Sequence, residues 1–248
     1  MKEIDHICLI TSCIIPNTTT GPITNLTKQE RLTQLTNNIN YLLEASLFEN
    51  IYIIDPFLKN EEKIKKFNSD LLKNGLIKSK KLKLLTFNPN KKRKLQIQKK
   101  GKGYSELEMI IEGTKKINNQ NPHTLIHKIS GRYKIINIKK IVKKSELIFN
   151  NKNILYLPFS KVLSKCYTVL VSYKSDIDIE LFISCLKDID DKKNNYTEHS
   201  FYKNLVRKKI TSRNNIVPKF ELSMIGGSKQ GRYGIFKQFM NKFLYGYM

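Results

Sequence analysis

Short apolar runs alternate with amphipathic stretches along the first half of the chain. Apolar runs of this length, bounded by prolines and polar turns, are typical of buried strands. They cover residues 7–15, 50–55, 82–87 and 124–129. We therefore predict four strands in this half, and Pro16 and Pro56 end the first two.

The amphipathic stretches between these runs predict helices. Thr27 and Glu30 have the spacing of a capping box, which places a helix start next to Thr27. The predicted helices cover residues 29–45, 60–74 and 104–117, and residues 88–100 are predicted to form a basic loop. Strands and helices in alternation predict an α/β fold with a Rossmann-like, mostly parallel central sheet flanked by helices.

The second half of the chain is less regular, which predicts a smaller, irregular C-terminal part. Three short strands are predicted at residues 147–149, 154–159 and 168–172, and two helices at 178–186 and 196–209. We find no clear linker. The chain is therefore expected to form one domain over residues 1–234, made of halves 1–135 and 136–234, followed by a tail at 235–248.

The net charge is the main compositional signal. The chain has 45 Lys and Arg against 21 Asp and Glu, a formal net charge of +24. Lysine occurs throughout the sequence, so we expect this charge to be spread over the surface. The resulting positive field favours nucleotides, nucleic acid or anionic membranes as partners and does not choose among them.

The sequence favours a cytoplasmic location. No apolar run is long enough to span a bilayer, and the N-terminus lacks the regions of a secretory signal. The four cysteines form no CxxC pair and are expected to be reduced thiols. The histidines lack the spacing of zinc ligands, so no zinc site is predicted.

Two turns rich in glycine and basic residues suggest a site for a phosphate-bearing ligand. The first covers residues 99–106, and the second is the turn Ser130-Gly131-Arg132-Tyr133. Glycine lets a backbone approach a ligand closely, amide groups can donate to anionic oxygens, and Lys or Arg neutralises charge. The alternative is a pair of solvated turns. Ligands of parallel α/β sheets bind outside the carboxyl ends of the strands, where the second turn falls.

An ordered set of short motifs then runs along the chain. It begins with Thr11-Ser12 after the first strand, Arg31 at a helix start and Asp55 after the second strand. It continues with Gly101-Lys-Gly-Tyr-Ser-Glu106, Lys128-Ile-Ser-Gly-Arg-Tyr133, Glu198-His199 and a Gly-rich stretch over 226–231. This set resembles the small bacterial and viral glycosyltransferases of the GT-A type found in capsule and lipopolysaccharide clusters.

The resemblance implies a GT-A-like fold and transfer of a sugar, with inversion, from a nucleoside-diphosphate sugar to a glycan or a lipid-linked acceptor. It implies a donor site made of Thr11, Ser12, Arg31, Asp55, Lys102, Gly103, Glu106, Lys128, Ser130, Gly131, Arg132, Tyr133, Gly227 and Ser228. Several of these have a structural alternative: Asp55 could cap the turn before Pro56, and Arg31 and Glu106 could serve only to begin helices. A Lys within an apolar strand is costly unless its ammonium meets a partner, so Lys128 is a strong candidate.

Glu198 is the candidate general base, and His199 is the alternative. An inverting transferase needs one group to take the proton of the acceptor hydroxyl as that hydroxyl attacks the anomeric carbon. The competing interpretation of Glu198 is an exposed helical glutamate.

The chain departs from most GT-A enzymes in one respect, because their metal-binding Asp-x-Asp after the fourth strand is replaced here by Ser130-Gly-Arg-Tyr133. Asp176-Ile-Asp178 lies later, where helix-start acids are common. No metal ligand is therefore predicted. Dependence on Mn²⁺ or Mg²⁺ stays open, because Lys and Arg could offset the diphosphate charge.

A second class of function is a basic nucleic-acid-binding protein without catalysis, which the charge and the interspersed Tyr and Phe would suit. No helix-turn-helix, zinc-finger or RNP pattern supports it, so nucleic acid is not the expected partner. The P-loop and GxGxxG patterns are also missing. In the tail, Phe236, Phe239, Met240, Phe243 and Leu244 recur at helical spacing with Lys alongside. That pattern predicts either peripheral docking on an anionic membrane or packing on the protein's own core.

Overall fold

The centre of the protein is a five-stranded sheet. The computed structural model describes residues 5–15, 26–120, 124–149, 159–160, 163–174 and 179–208. The strands of the sheet lie in the order β3-β2-β1-β4-β7. They are β1 (His6–Thr11), β2 (Asn50–Ile54), β3 (Leu82–Leu85), β4 (Leu125–Ser130) and β7 (Leu170–Lys174).

The first four of these strands are mutually parallel, and β7 pairs antiparallel with β4 at the edge. This confirms the predicted α/β class with a mostly parallel sheet. Because the chain turns from β1 outward to β2 and β3 and then returns to β4, the strand order reverses between β1 and β4. Thr11 and Ser130 are register partners at the carboxyl ends of these two strands. Crevices at such reversal points are where ligands bind in open α/β sheets.

One face of the sheet is covered by helices α1 (Lys28–Ala45), α2 (Glu61–Lys73) and α5 (Ile138–Phe149). The start of α1 has the predicted capping box, with both Thr27–Glu30 hydrogen bonds formed. Leu35 and Ile39 of α1 pack in one apolar cluster with Ile10 of β1, and Phe67 of α2 lies in the same cluster. The 3.6-residue periodicity that predicted α1 and α2 is the spacing of these buried contacts.

The other face is covered by α4 (Lys102–Gln120), with α6 (Ile179–Asp188) and α7 (Thr197–Arg207) beside it. Gly113 lets α4 approach β1 closely, because a Cβ there would lie 2.9 Å from Leu9 Cδ1. Phe201 of α7 belongs to the same buried cluster as Leu9. The two predicted halves of the chain therefore share one core.

The predicted basic loop at residues 88–100 is wrong, because residues 91–100 form helix α3 (Lys91–Lys100). Asn90 caps its start by accepting a hydrogen bond from the Arg93 amide at 3.0 Å. The Arg93 guanidinium binds Glu108 and Glu112 on α4. The helix has no fully buried residue, so periodicity gave no signal. These ion pairs with α4 and the partly buried Ile97 hold it to the protein.

The predicted strand at residues 147–149 is also wrong, because these residues end α5. Ile138, Ile141 and Val142 of this helix are buried at helical spacing, and the helix continues to Phe149. Two short strands, β5 (Phe159–Ser160) and β6 (Lys165–Cys166), pair antiparallel. The predicted strand at 168–172 corresponds to β7, shifted by two residues.

Some predicted features lie outside the described residues. They are residues 154–158 of a predicted strand, the Asp176-Ile-Asp178 segment, Gly227, Ser228 and the tail at 235–248. Within the part of the chain that is described, no helix is both long and apolar enough to cross a membrane.

A buried histidine pair links three strands of the sheet on the α1 side. His6 Nδ1 lies 2.8 Å from His127 Nε2, and His127 Nδ1 lies 2.8 Å from Ser172 Oγ. Phe48 packs against His127 with ring centroids 5.6 Å apart. Burial, and then the neighbouring His6, hold the pKa of His127 well below its usual value.

We expect this pair to make the fold acid-sensitive. A His whose pKa is depressed by folding stabilises the protein fully above about pH 6.5 and progressively less as the pH falls below that value. Lowering the pH from 7.5 to 5.5 should therefore cost about 1.4 kcal/mol of unfolding free energy through His127. Urea denaturation at several pH values measures this loss. His127→Gln, which can still hydrogen-bond but cannot titrate, should flatten the slope, and an unchanged slope in this variant would contradict the assignment.

Candidate functional site

Three of the predicted site segments meet at the carboxyl ends of β1 and β4. Glu106, in the second turn of α4, is the group that joins them. Its Oε1 atom accepts hydrogen bonds from Thr11 Oγ1 at 3.1 Å, Ser130 Oγ at 3.1 Å and Lys128 Nζ at 2.6 Å. Residues separated by 95 and 24 positions in the sequence are thus brought to one carboxylate.

Lys128 is fully buried, and its ammonium is enclosed by protein acceptors. It donates to Glu106 Oε1 at 2.6 Å, to Ser130 Oγ at 2.8 Å and to the Thr168 carbonyl at 2.7 Å. An ammonium has three N–H groups, and all three are used. The sequence-based expectation that this strand lysine needs a partner is confirmed. The partner is the protein itself: the ammonium is held by Glu106, Ser130 and the Thr168 carbonyl.

Glu106 is ionised and still faces solvent. Loss of solvent alone would raise the pKa of Glu106, but the Lys128 charge and the hydrogen bonds from Lys128, Ser130 and Thr11 outweigh it and lower the pKa. The side chain keeps 31% of its surface exposed. A fixed, charged carboxylate at a strand-reversal crevice can accept hydrogen bonds from ligand hydroxyls.

The sequence left two roles open for Asp55, binding the donor and capping a turn, and its contacts are those of a turn cap. Its carboxylate accepts from Ser12 Oγ at 2.6 Å, from the Ile14 amide at 3.1 Å and from the Phe57 amide at 2.8 Å. The side chain is buried. Burial raises the pKa of Asp55, and the hydrogen bonds, which lower it, only partly offset this effect. Asp55 therefore caps the turn that contains Pro56 and fixes the shape of the chain after β1.

Arg31 and Arg132 supply positive charge beside this turn. The buried Arg31 guanidinium donates to the carbonyls of Leu26 at 3.2 Å and Cys13 at 3.4 Å. Burial, and then the nearby Arg132 charge, lower the pKa of Arg31. Arg132 is half-buried and Cys13 is exposed. Two guanidinium groups that repel one another can be stabilised by an anion bound between them.

The glycines of the first basic turn do not form the phosphate cradle that the sequence suggested. The Gly103 amide donates to Asp191 Oδ2 at 3.0 Å, so a carboxylate of the protein occupies the N-terminus of α4. A Cβ on Gly101 would lie 2.7 Å from Asp191 Cβ, and one on Gly103 would lie 2.5 Å from Thr197 Oγ1. The glycines are required for close packing of Asp191 and Thr197. Lys102, between them, has an exposed side chain.

Gly131 is likewise a packing position. Its amide donates to the Thr11 carbonyl at 2.8 Å, and its own carbonyl accepts from Asn38 Nδ2 at 3.1 Å. A Cβ there would lie 2.9 Å from Leu35 Cδ1. Because the backbone of Gly131 is engaged, Ser130, Arg132 and Tyr133 are the residues of this turn that keep partly exposed side chains.

Glu198, at the start of α7, belongs to the same electrostatic cluster. Burial raises the pKa of Glu198, and the negative charges of Glu106 and Asp191 raise it further, while Lys128 acts against them. A carboxylate with a raised pKa is a better base near neutral pH than an ordinary one.

His199 has different surroundings from Glu198. It stacks on Tyr196 with ring centroids 5.8 Å apart, and burial and Lys165 lower its pKa. Its Nδ1 atom is buried without a hydrogen-bond partner among the described residues. Glu198 thus interacts electrostatically with the cluster around Glu106, whereas His199 stacks on Tyr196 and is influenced by the charge of Lys165.

Asp191 is the residue that sequence reasoning missed. It lies in the polar run 187–195, and its carboxylate reaches a glycine 88 residues earlier. Its Oδ1 atom is buried without a hydrogen-bond partner among the described residues. The only sequence signal for Asp191 is indirect. Gly101 and Gly103 flank the start of α4, and such glycines indicate that a distant part of the chain packs closely there.

Within the described residues, no group of three or more His, Cys, Asp or Glu side chains is arranged to hold a metal ion. Glu106, at the carboxyl ends of β1 and β4, is paired with Lys128.

No protein-family model and no curated protein matches the sequence. Among solved structures, the chain is similar to a cytidylyltransferase from Leptospira borgpetersenii serovar Hardjo-bovis, with a TM-score of 0.41 and 12% identity over 79% of this chain and 74% of that one. It is also similar to a UDP-glucose pyrophosphorylase complexed with UDP-glucose, with a TM-score of 0.40 and 12% identity over 98% of both chains. Similarities at this level identify neither a family nor an activity.

Proposed function

We propose that the protein is a glycosyltransferase that moves a sugar from a nucleoside-diphosphate sugar to a glycan or a lipid-linked acceptor. The observation that carries this proposal is the convergence of Thr11, Lys128 and Ser130 on the Glu106 carboxylate at the strand-reversal crevice. These residues come from three of the motifs that resemble GT-A enzymes. Glu198, from a fourth motif, interacts electrostatically with Glu106 and Lys128.

The donor diphosphate would lie on the positive side of the crevice. Arg132 and Arg31 are close enough for their charges to repel, and a diphosphate would offset that repulsion. Lys102 is exposed four residues before Glu106 on the same helix, so both side chains lie on one side of α4. As the diphosphate leaves, these cations stabilise its growing charge.

Glu106 and Glu198 have separate roles in the proposed reaction. Glu106 accepts hydrogen bonds from hydroxyls of the donor sugar, held in place by Lys128. Glu198 takes the proton of the acceptor hydroxyl, and the acceptor oxygen forms a bond to the anomeric carbon. The bond between that carbon and the diphosphate oxygen breaks, and the nucleoside diphosphate departs with the electron pair. One displacement of this kind inverts the anomeric configuration.

A panel of UDP-, GDP- and dTDP-sugars, with a CMP-sugar as the monophosphate comparison and each with and without Mn²⁺, tests the proposal. A donor that binds only the folded state raises Tm by mass action, about 2.7 kcal/mol of stabilisation at a hundredfold excess over Kd. Cys13 provides a second readout, because it is exposed beside Arg31 while the other three cysteines are buried. The stabilising donor should slow thiol labelling of Cys13. A panel without any stabilising or protecting donor would contradict the proposal.

Arg132→Ala should weaken binding of the stabilising donor by about ten- to a hundredfold, because a charge-assisted contact to phosphate contributes roughly 1.5–3 kcal/mol. The fold should survive, since Arg132 is only half-buried. Arg207→Ala is the matched control, because it removes the same charge from the far end of α7. Titration of the donor measures both variants. Equal affinity in Arg132→Ala and Arg207→Ala would remove Arg132 from the donor site.

A further inference from the structure

Helix α3 concentrates positive charge more than any other described helix. Six of its ten residues are Lys or Arg, and it contains no acidic residue. Every other described α-helix contains at least one Asp or Glu. Most of the 45 Lys and Arg lie elsewhere in the chain, as the sequence predicted, but α3 is the described helix where they are not balanced by any acidic residue.

The inner side of α3 is fixed to the protein. Arg93 donates to Glu108 at 2.7 Å and to Glu112 at 3.0 Å, and Ile97 packs against the core. Lys100 donates to the Lys187 carbonyl at 3.3 Å. These contacts determine which side of the helix is left to face outward.

The outer side of α3 presents one exposed apolar residue with lysines around it. Leu95 is 57% exposed, the highest value among the large hydrophobic residues of the described chain. Lys91, Lys92 and Lys99 lie four before, three before and four after Leu95, so helical geometry places them around it. All three lysines are exposed.

We propose that this outer side of α3 docks the protein on an anionic phospholipid membrane. Leu95 would enter the boundary between headgroups and acyl chains, and the three lysines would meet anionic headgroups while their aliphatic stems follow the apolar surface. An aliphatic centre without any aromatic residue distinguishes this surface from one that stacks on nucleic-acid bases.

The docking surface adjoins the candidate active site. Helix α3 continues through Gly101 into α4, where Glu106 lies in the second turn, and exposed Lys102 lies between them. Docking through α3 would therefore hold the crevice near the membrane plane, where a lipid-linked acceptor is presented. Membrane binding needs no donor sugar, so its failure and the failure of the proposed chemistry are separate results.

Co-sedimentation of the full chain with vesicles tests the proposal. Vesicles of 70% phosphatidylcholine and 30% phosphatidylglycerol should bind the protein, and vesicles of phosphatidylcholine alone should not, with about fivefold in affinity expected per lysine at the surface. The combined variant Lys91→Gln, Lys92→Gln, Lys99→Gln and Leu95→Ser should bind about a hundredfold more weakly. Its Tm should be unchanged, because all four side chains are exposed.

The matched control is the α2 variant Lys65→Gln, Lys66→Gln, Lys73→Gln and Leu72→Ser. It removes the same charge and one exposed Leu from a helix on the opposite face of the sheet. The control should keep vesicle binding. Equal loss in both variants, or wild-type binding in the α3 variant, would overturn the proposal. Preferential, α3-dependent binding of a DNA duplex over vesicles would also overturn it and assign the surface to nucleic acid.

Discussion

Glu198→Gln is expected to lower the rate of sugar transfer by about 10²–10⁴-fold, the usual contribution of a positioned general base. Gln keeps the size of the side chain and removes its ability to accept the proton. Donor affinity should stay within about twofold, because in the proposed reaction Glu198 faces the acceptor and the cations bind the diphosphate. Transfer assays on the folded variant, paired with donor titration, measure the two effects separately. A wild-type rate in Glu198→Gln would exclude Glu198 as the base, and His199→Ala would then be the decisive variant.

The pH profile distinguishes a base from a residue that only supports the fold. Because the pKa of Glu198 is raised by burial and by Glu106 and Asp191, kcat/KM should begin to fall with decreasing pH above the ordinary range of a glutamate. Asp191→Asn removes one of these negative neighbours and should move the acidic limb to lower pH. The amide can still accept the hydrogen bond from Gly103, so the packing is retained. An acidic limb that does not move in Asp191→Asn would contradict this coupling.

Lys128→Met is expected to destabilise the fold by about 3 kcal/mol, the lower end of the range for breaking a buried ion pair. Met fills the space of the Lys stem but leaves Glu106 without its counter-ion and the Thr168 carbonyl without its donor. The lower end applies because 31% of the Glu106 side chain is exposed and water can solvate part of the charge. Urea denaturation of the variant measures the loss.

Two further variants isolate the cause of this loss. The double variant Lys128→Met with Glu106→Gln should recover part of the stability, because no uncompensated charge remains. Lys203→Met is the surface control: Lys203 is 54% exposed and pairs with Asp188 at 3.4 Å. Its loss should stay below about 1 kcal/mol. If Lys128→Met costs no more than Lys203→Met, the ion pair with Glu106 is not what stabilises this region.

Local pattern was sufficient for most elements of the sheet. The periodicity of residues 29–45 and the Thr27–Glu30 capping box gave α1, and apolar runs gave β1 to β4, because caps, turns and buried faces depend on nearby residues. Helix α3 was missed because the contacts that hold it involve residues distant in the sequence. It is held to the protein by Arg93 pairing with Glu108 and Glu112, 15 and 19 residues away, and by the partly buried Ile97, and one apolar contact gives no periodic pattern.

Sequence pattern also placed Thr11, Ser130 and Asp55 at or directly after the ends of predicted strands, and the ends of parallel strands share one edge of a sheet. It did not determine what each group contacts there. Only the tertiary structure assigned Lys128 to Glu106, Asp55 to Ser12 and the Gly103 amide to Asp191. These are pairings of charged or polar groups across 22, 43 and 88 residues, and any of several carboxylates in the chain could satisfy them on composition alone. The pairing of β1 with β2 brings Ser12 to Asp55, and the packing of α4 brings Glu106 to Lys128 and Gly103 to Asp191. A buried charge must meet the partner that the fold brings within reach.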